Sequence, residues 1–224
     1  MGFWSFVGGC LSTLVRAGGA LLGGIAKVAT AIVGLQIKIL TAGMRIISSF
    51  AELFCGKPKE ETPEELGEKA LQSDKKPEDF ASTEEYIKHL RNDIQLDREK
   101  MAKLTPDERL ERQALGTSIY MKQIEDQFET KLPPRFFETI GKLEMSAPEL
   151  KTYMDSFKSN GLSDMGKMSD YLKGKLEPKE VPQVAKAIKE GAAQVAEQHQ
   201  EKKSEADINS DILEMAATMR NTDN

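Results

Sequence analysis

The pattern of apolar and polar residues over residues 3–55 predicts one long amphipathic helix. Polar or small residues recur along one face at steps of three or four, and four cations belong to them: Arg16, Lys27, Lys38 and Arg45. Spacings of eleven, eleven and seven residues return a helix to nearly the same angle, so the four cations share that face. The opposite face carries large apolar residues, which include Leu14, Leu21, Ile25, Ile32, Ile39, Ile46 and Phe50.

Glycines are concentrated in the same segment. Ten of the seventeen glycines of the chain lie within residues 1–56. Gly19 and Gly23 are four residues apart on the polar face, and Gly9 and Gly34 continue the row. Small residues at such spacing let membrane helices approach closely, so these four glycines are predicted to pack one helix against another.

Downstream of Gly56 the pattern changes to shorter helices with clear start signals. Thr62 and Thr105 each precede a proline and are followed three residues later by glutamate, which is the sequence of a capping box. Apolar residues at helical spacing predict helices over about 63–72, 83–103, 106–132, 134–144, 147–159, 164–175, 180–203 and 204–219. No stretch alternates with a period of two, so the expected fold class is all-α: a long, glycine-rich amphipathic helix followed by a small multi-helix bundle.

Charge separates the chain into two parts. Residues 1–56 carry a net charge of +3, whereas the remainder carries −8, and together they give the −5 of the whole chain. We therefore expect three regions: residues 1–56 associate with membrane and with other copies, residues 57–82 form a charged linker with one short helix, and residues 83–224 form an acidic helical bundle with a less ordered C-terminal end. The acidic body disfavours nucleic acid as a partner, except as a translocated species.

Catalytic chemistry is not indicated by the sequence. The two histidines, His89 and His199, have no second histidine or cysteine at ligand spacing, so no metal site is expected. The glycine pairs lie within the apolar helix and not between a strand and a helix, so no phosphate-binding loop is expected either. We predict no catalytic residue, no cofactor and no enzymatic activity.

A plain membrane anchor is also not expected. Spanning a bilayer takes about twenty apolar residues, and here the uninterrupted apolar runs between Arg16, Lys27 and Lys38 are ten residues long. No cleavable signal peptide is evident, because the first charge lies inside the apolar run. Cys10 and Cys55 are too far apart on a straight helix to pair, which leaves two free thiols or S-acylation sites.

Five interpretations of the long helix remain open. The helix lies flat on an anionic membrane, or several copies pack side by side around a lumen lined by the basic stripe. Alternatively, it bends near Gly23 or Gly34 into a hairpin, or it docks in the groove of a soluble partner. The remaining interpretation is an ordinary core helix of a globular domain.

From these observations we expect a membrane-associated, self-assembling structural or pore-forming protein. The N-terminal helix contacts anionic lipid and other copies, and the helical body contacts another protein. The alternative is a soluble adaptor or scaffold whose N-terminal helix docks on a partner or membrane surface without forming a pore.

Overall fold

The computed structural model describes residues 35–221, and within this range every regular secondary-structure element is a helix, with one isolated β-bridge between Lys131 and Asp164. The described helices are α1 (Ile37–Phe54), α2 (Pro63–Gln72), α3 (Thr83–Asp93), α4 (Arg98–Ala102), α5 (Pro106–Phe128), α6 (Pro134–Leu143), α7 (Ala147–Ser159), α8 (Gly166–Leu172), α9 (Val181–Gln198) and α10 (Glu205–Arg220), with a short 3-10 turn at Pro77–Asp79. The all-α prediction is confirmed for these residues. The continuous helix predicted over residues 3–55 is not, because α1 begins only at Ile37, after Gln36 with its extended backbone, and the predicted part before Leu35 lies outside the described residues.

The predicted start signals are confirmed at the level of individual hydrogen bonds. Reciprocal capping boxes form at Thr62 with Glu65, at Thr105 with Glu108 and at Ser146 with Glu149. A fourth box forms at Ser204, where Asp207 takes the place of glutamate. Each box satisfies backbone N–H groups that the first helical turn leaves free, which is why these short helices begin where the sequence places them.

One predicted helix is divided in two. The apolar pattern predicts a single helix over residues 83–103, but the structure ends α3 at Asp93 and begins α4 at Arg98. The side chain of Asp97 accepts a hydrogen bond from the Lys100 N–H at 3.0 Å and so caps the new helix. Aspartate competes for backbone donors in this way, and that preference outweighs the apolar spacing here.

Helix α1 lies in the core of the described bundle. Leu40, Ile47, Phe50 and Ala51 are each at most 1% exposed, and they join a single apolar cluster that continues to α10. Helix α1 packs chiefly on α6, and it also contacts α5 and α7. The apolar face of residues 37–54 is therefore covered by the rest of the chain.

The pairing of α1 with α6 is antiparallel and close. A Cβ atom at Gly43 would lie 2.6 Å from the ring of Phe137, and one at Gly141 would lie 2.5 Å from the Ile39 carbonyl oxygen. The N-terminal end of α1 is consequently beside the C-terminal end of α6.

Helices α2 and α5 make the most extensive helix–helix contact of the described residues. A Cβ atom at Gly67 would lie 2.0 Å from the Arg112 carbonyl oxygen, and one at Gly116 would meet the Pro63 carbonyl oxygen at 1.9 Å. The two backbones therefore touch where they cross, and only glycine fits on either side.

Ion pairs tie α2 to its neighbours. Glu68 is 1% exposed and accepts hydrogen bonds from Arg112 at 2.5 Å, Gln72 at 2.7 Å and Lys100 at 2.9 Å. Just before α2, Glu61 accepts two hydrogen bonds from Arg91, at 2.8 and 2.9 Å.

The Glu61 carboxylate has a further donor. Tyr120 of α5 donates its hydroxyl hydrogen to Glu61. Burial by itself raises the pKa of Glu61, but the hydrogen bonds from Arg91 and Tyr120 outweigh it and lower the pKa. The pKa of Glu68 is lowered in the same way, because its three donors outweigh the effect of burial.

The lowered pKa values of Glu61 and Glu68 make the free energy of unfolding depend on pH. Because folding lowers their pKa below the ordinary 4.5, they stabilise the folded state above that pH, and the stabilisation is lost as the pH falls through the lowered values. We expect the free energy of unfolding, measured in urea, to decrease from pH 5 to pH 3. The double variant Glu61→Gln and Glu68→Gln should show a flatter dependence over this range. An equal slope in the variant and the parent would contradict the assignment.

Candidate interaction surfaces

The structure places five of the predicted site residues, all on α1. Lys38 and Arg45 are exposed, whereas Ile39, Ile46 and Phe50 are buried in the core at 8%, 4% and 0% exposure. The other predicted residues lie outside the described part of the chain: Arg16, Lys27, Gly9, Gly19, Gly23, Gly34, Leu14, Leu21, Ile25 and Ile32.

The polar face of α1 is a solvent-facing stripe. The α1 stripe consists of Lys38, Thr41, Arg45, Ser48 and Glu52, which are exposed or half-buried and follow the spacing of one helix face. Its last four members form one wall of a groove of about 480 Å³, which we call the α1 groove. The opposite wall is formed by the start of α2 and by α5, with Thr62, Pro63, Glu64 and Gln113.

The acidic side chains along the α1 stripe and groove have cationic partners within residues 35–221, whereas the basic ones have no acidic partner there. Glu64 lies 2.8 Å from Arg109 and also accepts a hydrogen bond from Gln113, so its charge is compensated. Glu52 lies 3.6 Å from the buried ammonium group of Lys57. Lys38 and Arg45 form no ion pair with any residue in 35–221. The N-terminal half of the stripe therefore presents uncompensated positive charge.

A second groove lies among α7, α9 and α10 and shares no lining residue with the α1 groove. This C-terminal groove has a volume of about 440 Å³, and the end of α6 and the following turn also line it. The floor of the groove is apolar and consists of Leu143, Met145, Tyr153, Val195 and Met215. Its rim is mostly acidic: four carboxylates, Glu149, Glu201, Asp211 and Glu214, lie beside Lys142, Lys203 and His199.

Tyr153 is a buried polar residue that lines the C-terminal groove. Only 5% of the residue is exposed, and the one hydrogen bond that its hydroxyl donates goes to the sulfur of Met215, at 3.8 Å. Burial, followed by the nearby carboxylates Glu149 and Asp211, raises the pKa of Tyr153, so the phenol is neutral at physiological pH. Sulfur is a weak acceptor, and the hydroxyl therefore keeps most of its capacity to bond a group in the groove.

One side-chain arrangement resembles a nucleophilic site. His89 contacts Asp93 through Nδ1 at 2.7 Å and the Ser73 hydroxyl through Nε2 at 3.2 Å. Ser73 also donates to the Lys75 carbonyl at 2.9 Å, and Asp93 is exposed and one turn from His89. Neither groove includes these residues. A nucleophile needs a substrate cleft and oxyanion donors, so we interpret the contacts as a tie between α3 and the end of α2.

Metal binding finds no support in the described residues. Over residues 35–221, no three of the histidine, cysteine, aspartate and glutamate side chains are grouped closely enough to hold an ion. Within the same range, no helix combines the length and the apolar character needed to cross a bilayer.

Sequence reasoning identified the α1 stripe but missed the C-terminal groove. The groove is built from two stretches, residues 142–153 and 192–218, that are about forty residues apart in the chain, and its floor residues carry the same apolar spacing as the core positions beside them. No local signal distinguishes the two. Comparison of the chain with protein-family models, with curated proteins and with solved structures finds no match.

Proposed function

We propose that this protein is a membrane-associated, self-assembling protein with a structural or pore-forming role and no enzymatic activity. Residues 3–34 make the contacts with lipid and with other copies, and the helical body is the module that binds another protein. Helix α1 connects the two functions, because it is continuous with the N-terminal segment in sequence and embedded in the body in space.

The observation that carries this proposal is that the described body covers only one part of the long apolar face predicted over residues 3–55. Over residues 37–54 the apolar face is covered by α5, α6 and α7. The same pattern continues through residues 3–34, but the described surface has only four exposed large hydrophobic side chains: Ile37, Leu53, Val181 and Leu213. Four dispersed side chains cannot cover an apolar face of that length, and the C-terminal groove, at about 440 Å³, has room for only part of it. Lipid or another copy is the partner that fits it.

Charge supports a membrane of anionic lipid. Residues 1–34 contain two cations, Arg16 and Lys27, and no acid. The α1 stripe continues this positive charge onto the body with Lys38 and Arg45, and both are exposed. Cations close to an anionic bilayer contribute about 1 kcal/mol each, so the basic end of the protein is drawn to the surface while the acidic body is repelled.

Glycine supports association between copies. Within the body, Gly43 and Gly141 allow α1 and α6 to approach closely. Gly9, Gly19, Gly23 and Gly34 offer the same opportunity to N-terminal segments from several chains. In such an assembly the cations would line a shared lumen and favour anions, which is the pore-forming version of the proposal.

A soluble adaptor is the second candidate, and the α1 groove favours it. The groove pairs uncompensated positive charge at Arg45 with room for a partner's side chains. In this version, an acidic peptide binds the α1 groove and no lumen forms.

Vesicle flotation of the full chain tests the proposal. We expect binding to vesicles of anionic lipid and little binding to neutral ones. Lys27→Glu replaces one attraction by a repulsion, so affinity for anionic vesicles should fall about thirtyfold, which corresponds to about 2 kcal/mol. The matched control is Lys59→Glu, because Lys59 is exposed in the loop after α1 and forms no ion pair with a described residue.

Two further measurements, dye release and mass in detergent, separate the pore-forming proposal from the adaptor proposal. Release of a trapped dye, together with a large uniform mass in detergent, supports a pore. If the protein binds vesicles as a monomer and releases no dye, the result contradicts the pore and supports the adaptor. Absence of binding to anionic vesicles would overturn membrane association altogether.

A further inference from the structure

The N-terminal end of α1 lies beside α6, and the last residues of α6 line the C-terminal groove. Helix α1 starts at Ile37, and Gln36 before it has an extended backbone with φ −58° and ψ 141°. The helix therefore does not continue through Gln36, and the chain changes direction there. Ile39 lies against Gly141, and the next residues of α6, Lys142 and Leu143, line the groove.

Charge on the groove is complementary to the N-terminal segment. The rim carries four carboxylates and two lysines, which together contribute a net charge of −2. Residues 17–34 carry a net charge of +1 from Lys27 and contain no acid, and Arg16 comes directly before them. Glu214 is exposed at the rim and forms no ion pair with another residue in 35–221, so it is free to pair with a cation from outside the described structure.

The floor of the groove suits apolar side chains of variable shape. Met145 and Met215 lie there beside Leu143 and Val195. Methionine side chains are flexible and polarizable, and they adapt to irregular apolar surfaces. The sequence just before Leu35 is rich in alanine, valine, leucine and isoleucine, so its side chains match this floor in chemistry.

We propose that residues 17–34 dock in the C-terminal groove of their own chain in water, and that they leave it for a membrane. This inference rests on the proposed function, because it supplies the state that the protein adopts before it meets lipid. A groove of about 440 Å³ covers only part of the segment and would bind a separate peptide weakly. Because the segment is joined covalently to the body through α1, its effective concentration at the groove is in the millimolar range, so weak binding suffices.

A second copy is a poorer occupant of this groove. A stable dimer buries about 800 Å² on each partner, and the groove offers far less apolar surface than that. The tethered segment needs no such area, because it loses little translational freedom on docking.

Limited trypsin digestion of the full chain, in water and without lipid, tests the docking. The segment has two tryptic sites, after Arg16 and after Lys27, and the initial rate of cleavage at Lys27 is followed by intact mass. Glu214→Lys replaces a rim carboxylate by a cation, so cleavage at Lys27 should accelerate about fivefold to tenfold. The control Asp74→Lys makes the same charge change and adds one tryptic site, but Asp74 is exposed on a loop away from the groove.

Both variants should unfold thermally like the parent, because both positions are exposed. Equal cleavage rates at Lys27 in the parent and in Glu214→Lys would overturn the docking. Protection that increases with protein concentration would assign the groove to a segment of another copy and overturn the intramolecular form. Flotation of the same samples is an independent measurement: if no sample binds anionic vesicles, the proposed function fails whatever the digestion shows.

Discussion

A chain that begins at Leu35 will fold, and a chain that begins at Lys57 will not. The second truncation removes α1 and with it Leu40, Ile47 and Phe50, which are each at most 1% exposed. Loss of one such side chain costs about 2–5 kcal/mol, and the whole free energy of unfolding of a domain is about 5–15 kcal/mol. Removing the entire buried face of α1 therefore exceeds the available stability.

The first truncation leaves the described core intact. Every member of the apolar cluster described for this fold lies within residues 39–219, so the shorter chain keeps all of these contacts. Circular dichroism per described residue and the midpoint of cooperative urea unfolding should match those of the full chain, apart from whatever signal the removed residues contribute.

Flotation of the same truncated chain completes the experiment. If the chain from Leu35 folds but no longer binds anionic vesicles, the membrane contact lies within residues 1–34. Undiminished binding by this chain would place the contact on the body, with the α1 stripe as the candidate. Cooperative unfolding by the chain from Lys57 would contradict the role of α1 in the core.

Local signals made much of the fold predictable. The four capping boxes depend on residues three apart in the chain. Thr62 and Thr105 perform the predicted role, and Ser146 and Ser204 form boxes of the same kind. A capping hydrogen bond joins residues within one helical turn, so it can be predicted without the tertiary contacts of the molecule. The Asp97 cap is a signal of the same kind, and it explains why α3 and α4 are separate.

Long-range contacts were not predictable in this way. The pattern around Ile39, Ile46 and Phe50 requires an apolar partner for one face of a helix, but it does not specify whether that partner is lipid, another copy or the chain's own core. The structure places these three side chains in the core. For the N-terminal cations and glycines, which lie outside the described residues, the predicted roles stay predictions.

The pairing of α2 with α5 shows the same limit. Helices α3 and α5 are close in the chain, with only the short α4 between them, and such neighbours commonly pack together. The structure instead pairs α5 chiefly with α2, because Gly67 and Gly116 permit a closer approach than any other residue. One glycine in each of two helices is a weak signal in a sequence with seventeen.

That crossing leads to the second large effect: Gly116→Ala should destabilise the protein by about 3 kcal/mol or more. Alanine would normally favour a helix interior by about 1 kcal/mol over glycine. Here its Cβ would lie 1.9 Å from the Pro63 carbonyl oxygen, which belongs to the backbone and cannot rotate away. Helix α2 must then move as a unit, and the ion pair of Glu68 with Arg112 across the same interface is strained with it.

The matched control is Gly43→Ala. Its Cβ would meet the far end of the Phe137 ring at 2.6 Å, and a side chain can shift where a backbone cannot. We expect this variant to lose at most about half as much stability as Gly116→Ala. In thermal unfolding, the Gly116→Ala midpoint should fall by about 6–12 °C, since a protein of this size loses about 2–4 °C per kcal/mol.

Gly67→Ala tests whether the two glycines act at one crossing. Its Cβ would lie 2.0 Å from the Arg112 carbonyl oxygen, so this single variant should be destabilised to a similar degree. Once α2 has moved away from α5 to admit one methyl group, the second is accommodated with less strain. The double variant should therefore lose less stability than the sum of the two single variants. Strict additivity would mean that the two positions respond independently and that α2 does not move as one unit.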